Sequence, residues 1–284
     1  MRETAIRVRS LCKKYGDHLA VNNLDLDIRR GEIFGILGPN GAGKSTTVEI
    51  LEGHRSRDRG EVEVLGEDPG RASRRWKSRI GIVWQNEVVT GELTVAETVR
   101  HYAQYFPDPR DPEEIIHLVG LSEKAGARVG GLSGGQRRRV DVAVGVIGRP
   151  ELLFLDEPTT GFDPAARRQF WHLIRSLAHD GTTIVLTSHY LDEVEALADR
   201  LAVVVKGKVV AEGDPATLGG RARARATVSW LAPEGPRECH TDTPTSVVHE
   251  LATQFTGEVP ELAVSRPTLE DIYLGLIKEQ ETAA

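Results

Sequence analysis

The segment IFGILGPNGAGKST, residues 33–46, joins a wholly apolar run to a glycine-rich loop without a break. The run at 33–37 has the length and composition of a buried strand, and residues 45–51 have the pattern of a helix. Between them, Gly38 to Ser45 match G-x-x-x-x-G-K-[ST] in the strand-loop-helix context that this pattern requires. The segment therefore predicts a phosphate-binding loop within an α/β fold.

The chemistry of this loop follows from its residue types. Glycines let successive backbone N–H groups turn inward at a helix N-terminus, which makes a positive nest for an anion. We expect Lys44 to reach the β- and γ-phosphates of a nucleotide, Ser45 to bind Mg²⁺ through its hydroxyl, and Thr46 to contact a phosphate. The other predicted contributors are Gly38, Asn40, Gly41, Ala42 and Gly43. The loop alone does not distinguish transporters from kinases or GTPases, although the chain has no Asn/Thr-Lys-x-Asp segment for guanine recognition.

The rest of the chain divides by pattern into three regions. Short apolar runs alternate with helix-like stretches over 1–86 and 151–213, which predicts an α/β core. Residues 87–150 interrupt this alternation and have the pattern of a helical subdomain. Residues 214–284 predict a small C-terminal α/β region, with strands near 224–230 and 261–265 and helices near 246–255 and 268–278.

Composition narrows the classes of function. The chain of 284 residues is 39% hydrophobic and carries a net charge of −6, which argues against nucleic acid as the main partner. No apolar stretch approaches the roughly 18 to 20 residues that span a bilayer, and we expect no secretory signal. Cys12 and Cys239 lie far apart without metal-ligand spacing, which is typical of a reduced cytoplasmic protein.

A second polar pattern ends the apolar run at 152–155, where Asp156 and Glu157 follow directly. A buried strand that carries charge must deliver it at its end, where a ligand or ion compensates the desolvation. We therefore expect Asp156 to hold Mg²⁺, directly or through water.

Taken together, four segments resemble the ATP-binding-cassette (ABC) ATPases over roughly residues 4–213. They are the phosphate loop, LSGGQ at 132–136, the strand ending in Asp156 and Glu157, and LTSH at 186–189. The resemblance implies a RecA-like P-loop NTPase core with a helical ABC subdomain, and hydrolysis of ATP with Mg²⁺. An unrelated phosphotransferase would leave the second and fourth segments without a role.

The resemblance also implies a role for individual residues. Glu157 matches the carboxylate that polarises the attacking water, and His189 matches the histidine that contacts the γ-phosphate. Gln85 matches the glutamine that touches metal and water, and Tyr15 matches the aromatic residue that stacks on adenine. Asp163 matches the aspartate that links two sites across a dimer interface.

Ser133 and Gly135 open a helix, so Ser133 also fits a simple N-cap. In the family this loop closes over the nucleotide of a partner subunit. A chain with one cassette must then self-associate or pair with a similar subunit, and an intact set of motifs favours a homodimer. The run Arg137 to Arg139 that follows is interpreted as a solvated or phosphate-proximal face rather than a nucleic-acid surface.

The tail SRPTLEDIYL, residues 265–274, resembles the closing motif of the daunorubicin-resistance type of ABC ATPase. That group pairs with a separate multi-span permease and exports hydrophobic drugs, lipids or glycans. The resemblance therefore implies an exporter subunit at the cytoplasmic face of the cell membrane. The segment near 87–110 is the candidate docking surface for the permease, because it adjoins Gln85. A soluble ABC ATPase, linked to cluster assembly or ribosomes, is the alternative.

Overall fold

The computed structural model describes residues 3–84, 91–160 and 162–282. Their contacts divide the chain into two compact units, the first ending at Glu212 and the second beginning at Gly213. None of the described helices combines the length and the apolar character needed to cross a lipid bilayer.

The strands as far as Gly213 are, in chain order, β1 (Thr4–Tyr15), β2 (His18–Arg29), β3 (Ile33–Leu37), β4 (Arg59–Val64), β5 (Ile80–Val83), β6 (Leu152–Asp156), β7 (Thr183–Thr187), β8 (Arg200–Val205) and β9 (Lys208–Gly213). The helices of the first unit are α1 (Lys44–Leu51), α2 (Arg74–Lys77), α3 (Val95–Ala103), α4 (Pro112–Leu118), α5 (Gly134–Val146), α6 (Pro164–His179) and α7 (Leu191–Leu197).

The main sheet of the first unit has the strand order β5-β6-β7-β3-β8-β9. The pairs along β5-β6-β7-β3-β8 are all parallel. Every residue of β3 and β7 is buried, as expected for parallel strands covered on both faces. The predicted α/β core is therefore confirmed, and the carboxyl ends of β3, β6 and β7 meet at one edge of the sheet.

A second sheet of the first unit is antiparallel, with the order β2-β1-β4. Its buried positions include Ile6, Val8 and Val62, which join the same hydrophobic cluster as Phe34 of β3 and Phe154 of β6. β4 has the sequence RGEVEV, whose alternate charged residues point away from the core. The buried face of this antiparallel sheet thus packs against the parallel sheet in one hydrophobic core.

Helices α3, α4 and α5, which lie between β5 and β6 in the sequence, each begin at a polar capping residue. Thr94 caps α3 in a capping box with Glu97, and Asp111 caps α4. Ser133 caps α5 with a second capping box, closed by Gln136. A side-chain oxygen that accepts from the first backbone N–H groups stabilises each start by about 1 kcal/mol.

The second unit holds β10 (Ala226–Ala232), α8 (Pro244–Gln254), β12 (Ala263–Ser265) and α9 (Leu269–Thr282), close to the elements predicted there. It also holds β11 (Gly235–Thr241), which the sequence reading did not identify. The strand order is β11-β10-β12, and both pairs are antiparallel. Thr268 caps α9 through its hydroxyl, which accepts from the backbone N–H of Asp271.

Candidate functional site

The glycine loop turns directly from β3 into α1, and the packing around it requires glycine. Gly43 has a φ of 98°, and a Cβ added there would lie 2.2 Å from the Ala20 carbonyl oxygen. A Cβ at Gly38 would lie 2.2 Å from the Val204 carbonyl oxygen. Neighbouring strands therefore press the loop backbone into a tight cradle that side chains would fill.

Lys44 lies inside this cradle. Its Nζ donates to the carbonyl oxygens of Gly38 at 2.7 Å and Pro39 at 3.1 Å. Burial lowers the pKa of the Lys44 ammonium, and the negative charges of Glu157 and Asp156 partly offset that effect. The loop thus holds a desolvated positive charge where an anion would bind.

A cleft of about 420 Å³ opens over the loop. Most of the predicted nucleotide-binding residues line it: Tyr15, Asn40, Gly41, Ala42, Gly43, Lys44, Ser45, Thr46, Asp156 and Glu157. His18 and Ala20 line it as well. The sequence reading missed both, although the hairpin that pairs Tyr15 with His18 makes them neighbours of the predicted aromatic residue.

Tyr15 is 38% exposed at the edge of this cleft. The Arg55 guanidinium carbon lies 5.3 Å from the centre of its ring and the Lys13 ammonium 5.6 Å. Both cations are held by carboxylates, Arg55 by Glu49 and Lys13 by Asp58. The ring is therefore positioned by charged neighbours before any ligand arrives.

Asp156 and Glu157 lie at the end of β6, beside Thr187 at the end of β7. Thr187 donates through its hydroxyl to Asp156 Oδ1 and accepts the Glu157 N–H at its carbonyl oxygen, at 3.1 Å. Glu157 has a φ of 44°, in the left-handed region that a residue with a side chain enters at a cost of roughly 1 to 2 kcal/mol. This backbone conformation and the hydrogen bond to Thr187 together fix the position from which the Glu157 side chain extends.

His189 follows β7 and meets Glu157. Its Nδ1 lies 3.4 Å from Glu157 Oε2, and its ring lies 4.0 Å from that of Tyr190. An imidazole and a carboxylate placed side by side in this way can jointly orient a water molecule. The structure thus brings His189 to the predicted catalytic carboxylate.

The loop that carries His189 is anchored by a buried carboxylate that the sequence reading did not single out. Glu193 of α7 has 0% exposure and accepts from Ser188 Oγ at 2.6 Å and from Trp171 Nε1 at 3.3 Å. Ser188 Oγ accepts in turn from the backbone N–H of Tyr190 at 3.0 Å. No motif marks this anchor in the sequence, since its hydrogen bonds depend on the position of α7 against β7 and α6.

Glu52, at the end of α1, is a second buried carboxylate that the sequence reading missed. It is 4% exposed, and its Oε2 lies 3.3 Å from His54 Nδ1. Burial and, after it, the charge of Asp156 raise the pKa of the Glu52 carboxyl to about 8. The Glu52 carboxyl is therefore close enough to Asp156 for the two groups to interact electrostatically.

Ser133, Gly135 and Asp163 line a different cleft, of about 530 Å³. Ser133 Oγ accepts from the Gln136 N–H at 3.3 Å, so the expected N-cap is present. Asp163 caps α6, and the N–H groups of Ala166 and Ala165 hold the pKa of its carboxyl below its ordinary value. The described residues that line this cleft and those that line the first do not overlap, so the predicted residues that line a cleft form two separate groups, here named half-sites. Gln85, the remaining predicted residue, lies outside the described residues.

The arginine run is predicted to form a solvated or phosphate-proximal face, and the solvated alternative is wrong for Arg138. This residue is 6% exposed and donates to backbone carbonyl oxygens of the core. Helical spacing gave the signal, since Arg138 shares a face of α5 with the buried Val142 four residues on.

The comparisons with known proteins agree with this geometry. Residues 21–160 match the family described as ABC transporter. The chain is 39% identical to the Nod factor export ATP-binding protein I of Rhizobium sp. (strain N33), over 97% of this chain and 98% of that protein. It is 35% identical to the daunorubicin resistance ATP-binding protein DrrA3 of Streptomyces coeruleorubidus, over 97% of this chain and 96% of that protein.

The fold is also that of solved cassettes. A structure of an ATP-binding subunit of an ABC transporter superposes with a TM-score of 0.71 at 20% identity, covering 96% of this chain and 99% of that chain. Two findings support the same family assignment. The chain has a parallel sheet with a glycine loop at its edge, and it is similar over nearly its full length to two ATP-binding proteins. The chain belongs to the ABC transporter family, as one of its ATP-binding subunits, which are ATPases.

Proposed function

We propose that this chain powers an exporter whose membrane part is a separate multi-span permease, and that ATP binding closes a dimer of two such subunits. Both relatives named above take part in export or drug resistance by their names, which supports this direction of transport. The cargo class that best fits those names is a drug, lipid or glycan-like molecule. The working place is then the cytoplasmic face of the cell membrane.

One observation carries the dimer proposal: the predicted residues lie in two separate clefts of one chain. The first holds the phosphate loop and the paired carboxylates, and the second holds Ser133, Gly135 and Asp163. A head-to-tail pair would bring the second cleft of one subunit over the first cleft of its partner. Each of the two nucleotides would then be held by both chains, and a homodimer satisfies this with one sequence.

Within the first cleft, the proposed roles follow from the positions of the side chains. Tyr15 would stack on adenine, and the N–H groups of the loop with Lys44 would hold the phosphates. Glu157 would accept hydrogen bonds from the attacking water, and His189, whose Nδ1 is 3.4 Å from Glu157 Oε2, would contact the γ-phosphate. Positioned bases of this kind contribute about 10² to 10⁴-fold to a rate.

The donor set also fits Mg²⁺. Asp156 and Ser45 line the same cleft, and carboxylate and hydroxyl oxygens are hard ligands of the kind that Mg²⁺ prefers. When bound, the ion would neutralise charge that develops on the phosphates. Gln85 is proposed as a third contributor on family resemblance.

The helical subdomain offers a surface for the permease. Three aromatic side chains, His101, Tyr102 and Tyr105, cluster at the end of α3, with ring centres 5.4 to 6.0 Å apart. Tyr105 is 68% exposed, which is high for a residue of this size. An amphipathic aromatic patch within residues 87–110 suits a protein partner, because tyrosine combines apolar area with a hydrogen-bonding hydroxyl.

The test is a membrane pull-down of tagged Glu157→Gln protein, expressed in its native host and trapped with Mg²⁺ and ATP. We expect one multi-span polypeptide to co-elute, and a Tyr105→Ala variant to lose it while still binding ATP. A cytosolic dimer with ribosomes or scaffold proteins and no membrane partner would replace this proposal with a soluble ABC ATPase. Full export by docking-surface variants would refute the docking surface alone.

A further inference from the structure

Arg138 is buried at the junction between the helical subdomain and the catalytic edge of the sheet. It lies on α5, five residues after Ser133, which caps that helix and lines the second cleft. Five residues of helix correspond to a rise of about 7.5 Å. The guanidinium is therefore rigidly linked to the Ser133 loop through little more than one turn of helix.

The guanidinium donates to three carbonyl oxygens from two segments of the core. Nε donates to Pro158 at 3.1 Å, Nη2 donates to Asp156 at 2.8 Å, and Nη1 donates to Trp84. Arginine presents its donors in a fixed planar fork, so one side chain can hold several acceptors in a defined arrangement. Because a buried charge is costly unless it is well hydrogen-bonded, these carbonyls also explain how the charge is tolerated at 6% exposure.

The accepting carbonyls flank the predicted catalytic carboxylate on both sides. The Asp156 carbonyl belongs to the peptide group that precedes Glu157, and Pro158 follows it directly. Glu157 has a φ of 44°, a conformation that persists only when surrounding groups hold it. Thr187 holds the Glu157 N–H, and Arg138 holds the carbonyls on either side of this residue.

The third carbonyl extends the link to another strand. Trp84 directly follows β5, whose neighbour in the sheet is β6. Arg138 thus ties the ends of both strands to the helix that begins at Ser133. A displacement of that helix is transmitted to these carbonyls because the donors cannot move independently.

We propose that Arg138 is a positioning residue that couples the Ser133 loop to the backbone around Glu157, so that the second cleft sets the geometry of hydrolysis in the first cleft of the same chain. This inference rests on the proposed function, since it assumes that Glu157 acts on ATP. It adds a physical link between the two half-sites. Occupation of one half-site by the partner's nucleotide would adjust the other through α5.

The test compares Arg138→Met, Arg138→Lys and Arg138→Gln with the unchanged chain, using Arg168→Met on the exposed side of α6 as the control for loss of an arginine. ATP hydrolysis and binding of a fluorescent ATP analogue are measured for each variant. We expect Arg138→Met to lower kcat by about 10- to 100-fold with little change in KM, since small misplacements of a catalytic group cost that much. Arg138→Lys should recover part of kcat, because an ammonium keeps the charge without the planar fork.

A second readout separates coupling from mere stability. The emission that Trp84 contributes is obtained by subtracting the spectrum of a Trp84→Phe variant from that of each protein. We expect ATP to change this emission in the unchanged chain and to leave it constant in Arg138→Met. Arg138→Met with unaltered kcat and an unaltered ATP response would overturn the inference.

The outcomes also distinguish this inference from the proposed function. If the unchanged chain binds ATP but does not hydrolyse it in its complex with the permease, the proposed function fails. If the unchanged chain hydrolyses ATP and all Arg138 variants match it, only the coupling role fails. If Arg138→Met shows no cooperative unfolding transition, it does not fold, and the Arg138→Lys and Arg138→Gln variants are compared instead. A kcat equal to that of the unchanged chain in both of these variants would overturn the coupling role.

Discussion

Replacing Glu193 is the sharpest test of how the His189 loop is held. The carboxylate has 0% exposure and accepts from Ser188 Oγ at 2.6 Å and Trp171 Nε1 at 3.3 Å. In Glu193→Ala the Ser188 hydroxyl, itself 1% exposed, loses its strong acceptor, and the remaining one is the Tyr190 carbonyl at 3.4 Å. An unsatisfied buried donor costs about 1 to 3 kcal/mol and the Trp171 bond adds about 1 kcal/mol, so we expect a loss of about 2 to 4 kcal/mol in the free energy of unfolding.

Glu193→Gln should behave differently. Its amide can accept from Trp171 and donate to Ser188 Oγ, while Ser188 turns its own proton to Tyr190. We therefore expect its free energy of unfolding to lie within about 1 kcal/mol of the unchanged chain at neutral pH.

The pH dependence gives a signed check. Burial raises the pKa of the Glu193 carboxyl. The folded chain then binds this proton more tightly than the unfolded chain, so its contribution to stability is greatest below the ordinary glutamate pKa and falls as pH rises through the raised folded value. Glu193→Gln has no such proton, so its stability relative to the unchanged chain should rise as the pH rises from the ordinary glutamate pKa through the raised folded value.

The free energy of unfolding of the unchanged chain, Glu193→Ala and Glu193→Gln is measured by urea denaturation monitored by circular dichroism. The rate of ATP hydrolysis of each protein reports whether His189 is displaced. Ordinary surface substitutions change the free energy of unfolding by no more than about 0.5 kcal/mol. If the free energy of unfolding of Glu193→Ala lies within that range of the unchanged chain, Glu193 is not a buried anchor. A Glu193→Gln variant that is as unstable as Glu193→Ala would instead show that the negative charge is required.

Three further outcomes are expected. Glu157→Gln should lower turnover by about 10² to 10⁴-fold while a fluorescent ATP analogue still binds, and turnover near that of the unchanged chain would remove Glu157 from the chemistry. Gly43→Ala should abolish analogue binding and lower the thermal midpoint, because its Cβ would lie 2.2 Å from the Ala20 carbonyl oxygen at a φ of 98°; retained binding would contradict the tight cradle. The Arg79 guanidinium lowers the pKa of the Glu151 carboxyl to about 2. The stability that this group contributes is therefore present above the ordinary glutamate pKa and is lost as the pH falls from there toward about 2. Glu151→Gln should reduce this loss of stability in acid, which a series of urea denaturations at decreasing pH measures.

The sequence predicted the parallel core well because its strands are continuous apolar runs between clear breaks. The predicted strand at 33–37 coincides with β3, the apolar run at 152–155 lies within β6, and the predicted helix near 45–51 begins one residue early as α1. Such strands are buried on both faces, so hydrophobicity alone identifies them. The glycine loop was equally clear, since its spacing is fixed by the backbone path.

The missed strands share a different physical character. β4, β9 and β11 are partly exposed, and their polar residues carry no more strand signal than a loop does. β4 forms by pairing with β1, which lies far away in the sequence, whereas β11 pairs with β10 just before it across a short turn. Strand preference at partly exposed positions depends on such pairing, so the local residue pattern alone does not identify these strands.

The same limit applies to the site, where it separates the residues proposed to act on ATP from the residues that hold them in place. Motif spacing located Lys44, Asp156, Glu157 and His189, because each belongs to a short segment with its own residue pattern. Their supports, such as Thr187 and Arg138, act through backbone carbonyls and single hydroxyls, which any sequence offers in abundance. Thr187 meets Asp156 only because β6 and β7 pair in the register that sets these two residues side by side. Since the supports depend on register and on helix placement, substitutions there should change kcat without changing the motifs, and coupling between the half-sites is to be sought among them.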